Sequence, residues 1–238
     1  MAKKYQIMTD HSRIITRAIP GDPHPERPGE VLATVYRIRR LHGPAAGALG
    51  GWIEHEGNLS QCGDCWVDDG AVVFAGACVS DAAVVRHNAV VYGAARVREF
   101  AEVRDFACVA GSALVDGRAR VCGSARVGGR AHVTDDAHVG GQCVVDGSGC
   151  LVGGFTYLAG RVRVCAPAVA LRNIALNGEY DVVPYAYGVV GGTATVGLVV
   201  ARNNNELQIS PTAADGTTRA RGRVERIPRR TRGSDVNG

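Results

Sequence analysis

Residues 89–109 read AVVYGAARVREFAEVRDFACV. Valine recurs at every sixth position, Val91, Val97, Val103 and Val109, and alanine stands two residues before each, at Ala89, Ala95, Ala101 and Ala107. Followed outward, the same clock places valine at 67, 73, 79 and 85 on one side and at 115, 121, 127, 133, 139 and 145 on the other. With Leu151 it makes fifteen consecutive positions six apart. The small position is Cys65, then alanine from 71 to 137, then Cys143 and Gly149. Two residues after each valine the chain carries mostly Gly or Asp, as at Asp69, Gly93, Asp105, Gly117, Asp135 and Gly153.

A-x-V alternates inward, outward, inward, which is the pattern of a very short strand with one buried face. The Gly or Asp position is a bend, where unusual backbone angles must be tolerated. Three such units close a triangular coil of eighteen residues, and stacked coils pair as parallel strands about 4.8 Å apart. The expected fold is all-β: a parallel β-helix of about five triangular coils, with an N-terminal cap and a C-terminal β module. A narrow interior takes Val and Ala, and larger side chains would overfill it. This accounts for the composition, in which 33 Ala, 33 Val and 32 Gly stand against 11 Leu and 13 aromatics in 238 residues. Such a chain is a poor candidate for a helical bundle.

The period resembles that of the hexapeptide-repeat, left-handed parallel β-helix proteins, the trimeric acyltransferase-like superfamily. In the usual hexapeptide the Gly or acidic residue directly follows the aliphatic one, whereas here it comes one residue later. That variant resembles a bacterial and prophage subgroup often labelled as acyltransferases. The lead-in resembles the subgroup as well, in Tyr36-Arg-Ile-Arg-Arg-Leu41, Gly47-Ala-Leu-Gly-Gly-Trp-Ile-Glu54, Asn58-Leu-Ser60, Gly63 and Cys65-Trp-Val67. The resemblance spans about residues 34–155. It implies a left-handed coil and a homotrimer.

The expected organisation is an N-terminal arm and cap over 1–59, the β-helix over 60–154, the β module over 155–212 and an Arg-rich tail over 213–238. Pro20 to Pro28 reads as a loop and Val35–Leu41 as a strand, with Trp52 and Trp66 plugging the open first coil. After Gly154 the strict period fails, although Arg161–Val164, Ala168–Leu176, Val182–Val200 and Glu206–Ile209 still read as strands. The net charge of +4 equals the eight Arg less four acids found after residue 200. The tail arginines Arg219, Arg221, Arg223, Arg226, Arg229 and Arg230 suggest a docking arm. Without interleaved aromatics they argue against single-stranded nucleic acid as the partner. The start, MAKKYQIMTD, has no apolar signal region, so synthesis in the cytoplasm is expected, with residence in a virion under the phage reading below. No stretch reads as a membrane span.

Positions eighteen apart share a face. One face is apolar: Val72, Val90, Cys108, Arg126 and Val144, flanked by Phe74, Tyr92 and Ala110. Val72, Phe74, Val90, Tyr92, Cys108, Ala110 and Val144 are therefore the expected trimer interface. The alternative is that the N-terminal segment folds over this strip within one chain. Enzymes resembling this one use a histidine base between subunits. The candidates here are His132, with Cys150 expected one coil above it, and His138, while His87 stands at a bend. None has a visible pocket, and the usual substrate loop is missing from the repeat. No metal site is expected: Cys62 and Cys65 form the one CxxC, no second ligand pair follows, and a turn cysteine beside a buried small one is the plainer reading.

The expected function is that of a structural, interaction protein, a phage virion accessory such as a capsid decoration or tail spike component, that docks through its ends and uses no cofactor. The phage part rests on resemblance. The alternative is an acyl-CoA-dependent acyltransferase.

Overall fold

The computed structural model describes residues 3–16, 31–68, 70–165, 170–173, 175–182, 198–203 and 206–211. Its body is a stack of parallel coils, a β-solenoid of about seven turns. Through the repeat each A-x-V unit forms a two-residue strand, such as Glu102–Val103, whose partners lie eighteen residues away on both sides: Glu102 opposite Val84 and Arg120, and Val103 opposite Val85 and Val121. The backbone ladder follows the same step, with Val84 N donating to Ala101 O at 2.9 Å and Glu102 N to Ala119 O at 2.9 Å. The valines and alanines of the clock from Val67 to Val145 are buried in one continuous core. Each buried valine contributes about 2 kcal/mol of transfer free energy.

The bends explain the third element of the repeat. Gly93, Gly111, Gly117, Gly123, Gly129 and Gly141 all have positive φ, and so do Asp81, His87, Glu99, Asp105 and Asp135. In the Gly93–Gly111–Gly129 column a Cβ on Gly111 would stand 2.8 Å from the Gly129 carbonyl oxygen, so that glycine is required by space as well as by backbone angle. The acidic bends use their side chains on the next coil. Asp81 accepts from Glu99 N at 3.1 Å, Glu99 from Gly117 N at 3.0 Å, Asp105 from Gly123 N at 3.0 Å and Asp135 from Gly154 N at 2.7 Å.

The coils outnumber the five expected, because the solenoid runs past both ends of the strict clock. On the N-terminal side, Trp52 and Ile53 pair with Val72 and Val73, and Leu59 bridges Val79, so Ile53, Leu59 and Val67 form a first coil. Asn58 holds that coil shut. Its amide donates to Ala75 O and Ala77 O, both at 2.8 Å, and its oxygen accepts from Glu54 N and His55 N, both at 3.0 Å. On the C-terminal side, Val145 pairs with Val164, Val152 with Leu171, Leu158 with Leu176 and Val164 with Val182. The region expected as a separate β module from residue 155 thus continues the coil as far as Val182. A hairpin of Leu198–Asn203 and Glu206–Pro211 follows it in the chain.

One expectation fails at the junction. Val133 pairs with Val152, nineteen residues on, because the bulge between Arg130 and His132 absorbs an extra residue in Ser148–Gly153. Cys150 and Val152 therefore point into the core and Leu151 takes the outward place, and the positive φ moves from Gly153 to Gly154.

The N-terminal cap is a hairpin of β1 (Tyr5–Thr16) and β2 (Val31–Arg40), joined through β3 (Leu49–Ile53) to the solenoid. Its register shifts between Met8 and Ser12, which divides it into two working parts. The first closes the coil end. Tyr5 and Ile38 join Ile53, Leu59 and Trp66 in the core, and the Tyr5 hydroxyl donates to Leu59 O at 2.7 Å. Trp66 is at this end, as expected, under the Arg40 guanidinium at 3.9 Å. Trp52 does not plug the coil; it stands on the outer face and packs with the second part, where Ile15, Ala33 and Val35 cover Val72 and Phe74.

Candidate functional site

The solenoid presents three outward columns. On the first face stand Trp52, Val72, Val90, Cys108, Arg126, Val144 and Arg163. Val72 and Phe74, expected between protomers, are instead buried by the chain's own hairpin, and Val90 and Tyr92 pack at the edge of the same cluster. The single-chain alternative holds for this end of the strip because β1 and β2 bring three apolar residues down onto it. Cys108 is buried as well, while Ala110 and Val144 are half-buried. Arg219, Arg221, Arg223, Arg226, Arg229 and Arg230 lie outside the described residues.

The third face carries His132. Its Nε2 lies 2.8 Å from Asp116 Oδ1, and Asp116 Oδ2 accepts from Arg98 at 2.8 Å and 3.2 Å. The Asp116 side chain is only 6 % exposed. Burial acts to raise its carboxyl, but hydrogen bonds from Thr134, His132 and Arg98 prevail and hold it below the ordinary carboxylate value. The pairing fixes one nitrogen of His132 and leaves Nδ1 as the nitrogen the carboxylate does not engage, which is the arrangement of an oriented imidazole base. Cys150 is absent from this site. Leu151 is the residue stacked on His132, since the extra residue before it turned Cys150 inward.

The second face carries His138. Its Nε2 lies 3.5 Å from Cys122 Sγ, and its ring rests against Tyr157, with centroids 4.7 Å apart. Burial, then Arg104 and Arg120, lower the imidazole's affinity for a proton. Burial also pushes the Cys122 thiol up. A neutral imidazole therefore faces a neutral thiol, a packed pair without a pre-formed thiolate. His87, at its bend, meets Asp105 Oδ1 at 3.0 Å.

Asp116 and Cys122 were not singled out as partners from the sequence, although a signal was there. Each stands directly after a clock valine, and its histidine stands directly before the valine one coil on. The step is sixteen residues in both cases, the diagonal neighbour on an eighteen-residue coil. Among the described residues no group of three His, Cys, Asp or Glu could hold a metal ion, and no helix is long and apolar enough to cross a membrane. No protein-family model matches the chain, and no curated protein sequence does so.

Proposed function

We propose that this chain is a structural, interaction protein, a rigid solenoid that serves an assembly rather than a reaction. The observation that carries the reading is the eighteen-residue pairing from Val67 to Val145, in which, among the described residues, no coil lets out a loop that could wall a substrate cleft. Self-association as a homotrimer would use the first face from the edge of the hairpin-covered cluster outward, around Val90, Ala110 and Val144. Docking would use the C-terminal end and the Arg-rich tail, since the N-terminal end is closed by Tyr5 and Ile38. A phage virion, as capsid decoration or tail spike component, is the assembly this reading favours; it rests on the resemblance of the lead-in and repeat, and capsid or tail genes beside this one would support it. Light scattering tests the assembly. We expect three times the 24.9 kDa chain mass, falling to one chain in the double variant Val90→Asp with Val144→Asp. A wild-type monomer would remove the trimer from the account.

One observation favours a second reading, acyl-CoA-dependent acyl transfer: the His132–Asp116 contact, which orients a base. Saturable binding of coenzyme A by calorimetry, with acyl transfer lost in His132→Ala, would replace the structural reading; no heat and no transfer would retain it.

A further inference from the structure

The CxxC pair lies where the hairpin meets the first coil. Cys62 is exposed in a turn, and Cys65 is buried in the core column. The turn, with Gly63 at φ +72°, brings the Cys62 carbonyl oxygen within 3.6 Å of Cys65 Sγ. The turn thus folds the Cys62 backbone back onto the second sulfur. Lys4 of β1's approach is bound to the same turn. Its ammonium donates to Cys65 Sγ at 3.1 Å, Cys65 O at 2.9 Å and Gly63 O at 3.3 Å, and its backbone N donates to Gln61 Oε1 at 2.9 Å. A buried sulfur held 3.1 Å from a lysine ammonium is in the setting that stabilises a thiolate as it forms. Burial pushes the Cys65 thiol up, and Lys4 opposes it.

We propose that Cys62 and Cys65 form a reversible dithiol–disulfide site, in which exposed Cys62 meets a small-molecule disulfide and Cys65 resolves the adduct beside Lys4. In the first step the Cys62 thiolate attacks one sulfur of the oxidant, forming a mixed disulfide and releasing one thiolate of the oxidant. In the second, Cys65 gives its proton to solvent and attacks the Cys62 sulfur, releasing the other thiolate. The two cysteines are oxidised by two electrons, and the small-molecule disulfide is reduced to two thiols.

Oxidised glutathione and the full-length protein test this, with acid quenching and peptide mass mapping over time. The expected result is a transient glutathione adduct on Cys62, followed by a Cys62–Cys65 disulfide. In Cys65→Ser the adduct persists. In Lys4→Met conversion of the adduct slows about tenfold and its pH profile moves to higher pH, as expected for loss of a thiolate-stabilising cation, and Lys4→Arg restores both. A stable adduct in the wild type, pairing of Cys62 with a different cysteine, or an unchanged rate and pH profile in Lys4→Met would overturn the proposal.

Discussion

The coils from Val67 to Val145 and those from Val145 to Val182 share a pairing pattern but not a sequence. In the first group the larger inward residue of each side is a valine six after the last. In the second, the inward residues are Val152, Leu158, Val164, Leu171, Leu176 and Val182, at steps of seven, six, six, seven, five and six. Each turn still closes within eighteen or nineteen residues. The ladder of backbone hydrogen bonds needs an apolar residue at each inward point and a coil of nearly constant length; how that length is divided among three sides is free. The first coil makes the same point, since Ile53, Leu59 and Val67 are joined by steps of six and eight, with Asn58 securing the turn from Ile53 to Leu59.

That contrast can be broken most severely at Asn58. Asn58→Ala removes four hydrogen bonds at once, from Glu54 N and His55 N and to Ala75 O and Ala77 O, and we expect a loss of about 3–4 kcal/mol, read as the urea midpoint. A loss no larger than an ordinary surface change would mean that the irregular coil holds itself closed. The regular coils have a different weak point. Gly111→Ala puts a Cβ 2.8 Å from the Gly129 carbonyl at a φ of +67°, and should cost about 2 kcal/mol, whereas Asp105, already a side chain at positive φ, should accept Ala with the loss of its bond to Gly123, about 1 kcal/mol, its surface contacts with His87 and Arg104 adding little.

The smallest effect concerns charge on the regular coils. Asp116 has a folded-state pKa below its unfolded one, so the unfolded chain takes up its proton first as pH falls. Its contribution is complete above the ordinary carboxylate value and fades as pH drops through the folded value. Asp116→Asn should cost about 1 kcal/mol near neutrality and flatten the acid limb of the stability curve. An acid limb identical to wild type would show that His132 and Arg98 gain nothing from the carboxylate.

The central coils were legible because Val and Ala keep to one clock. The C-terminal coils were not, because leucines replace valines at uneven steps, and one extra residue near Gly149 exchanges Leu151 for Val152 as the inward residue. The cap was half legible: β2 showed in Val35–Leu41, but β1 is an edge strand whose middle, Thr9 to Arg13, is polar and exposed, so it carries no alternation. The His132–Asp116 pair could have been read from a sixteen-residue diagonal once the coil length was known. The Lys4–Cys65 contact could not, because it joins residues 61 apart through a hairpin the repeat says nothing about.

The central claim is that one solenoid continues from Ile53 to Val182, with the six-residue clock a local refinement of it. Amide hydrogen exchange read by mass spectrometry tests this directly, by comparing peptides covering 90–103 with those covering 157–165 and 175–182. The account predicts slow exchange in all three, with the amides of the last two opening no faster than those of a terminal coil that is still paired. Exchange of 157–165 and 175–182 at the rate of an unstructured chain, with 90–103 protected, would contradict it.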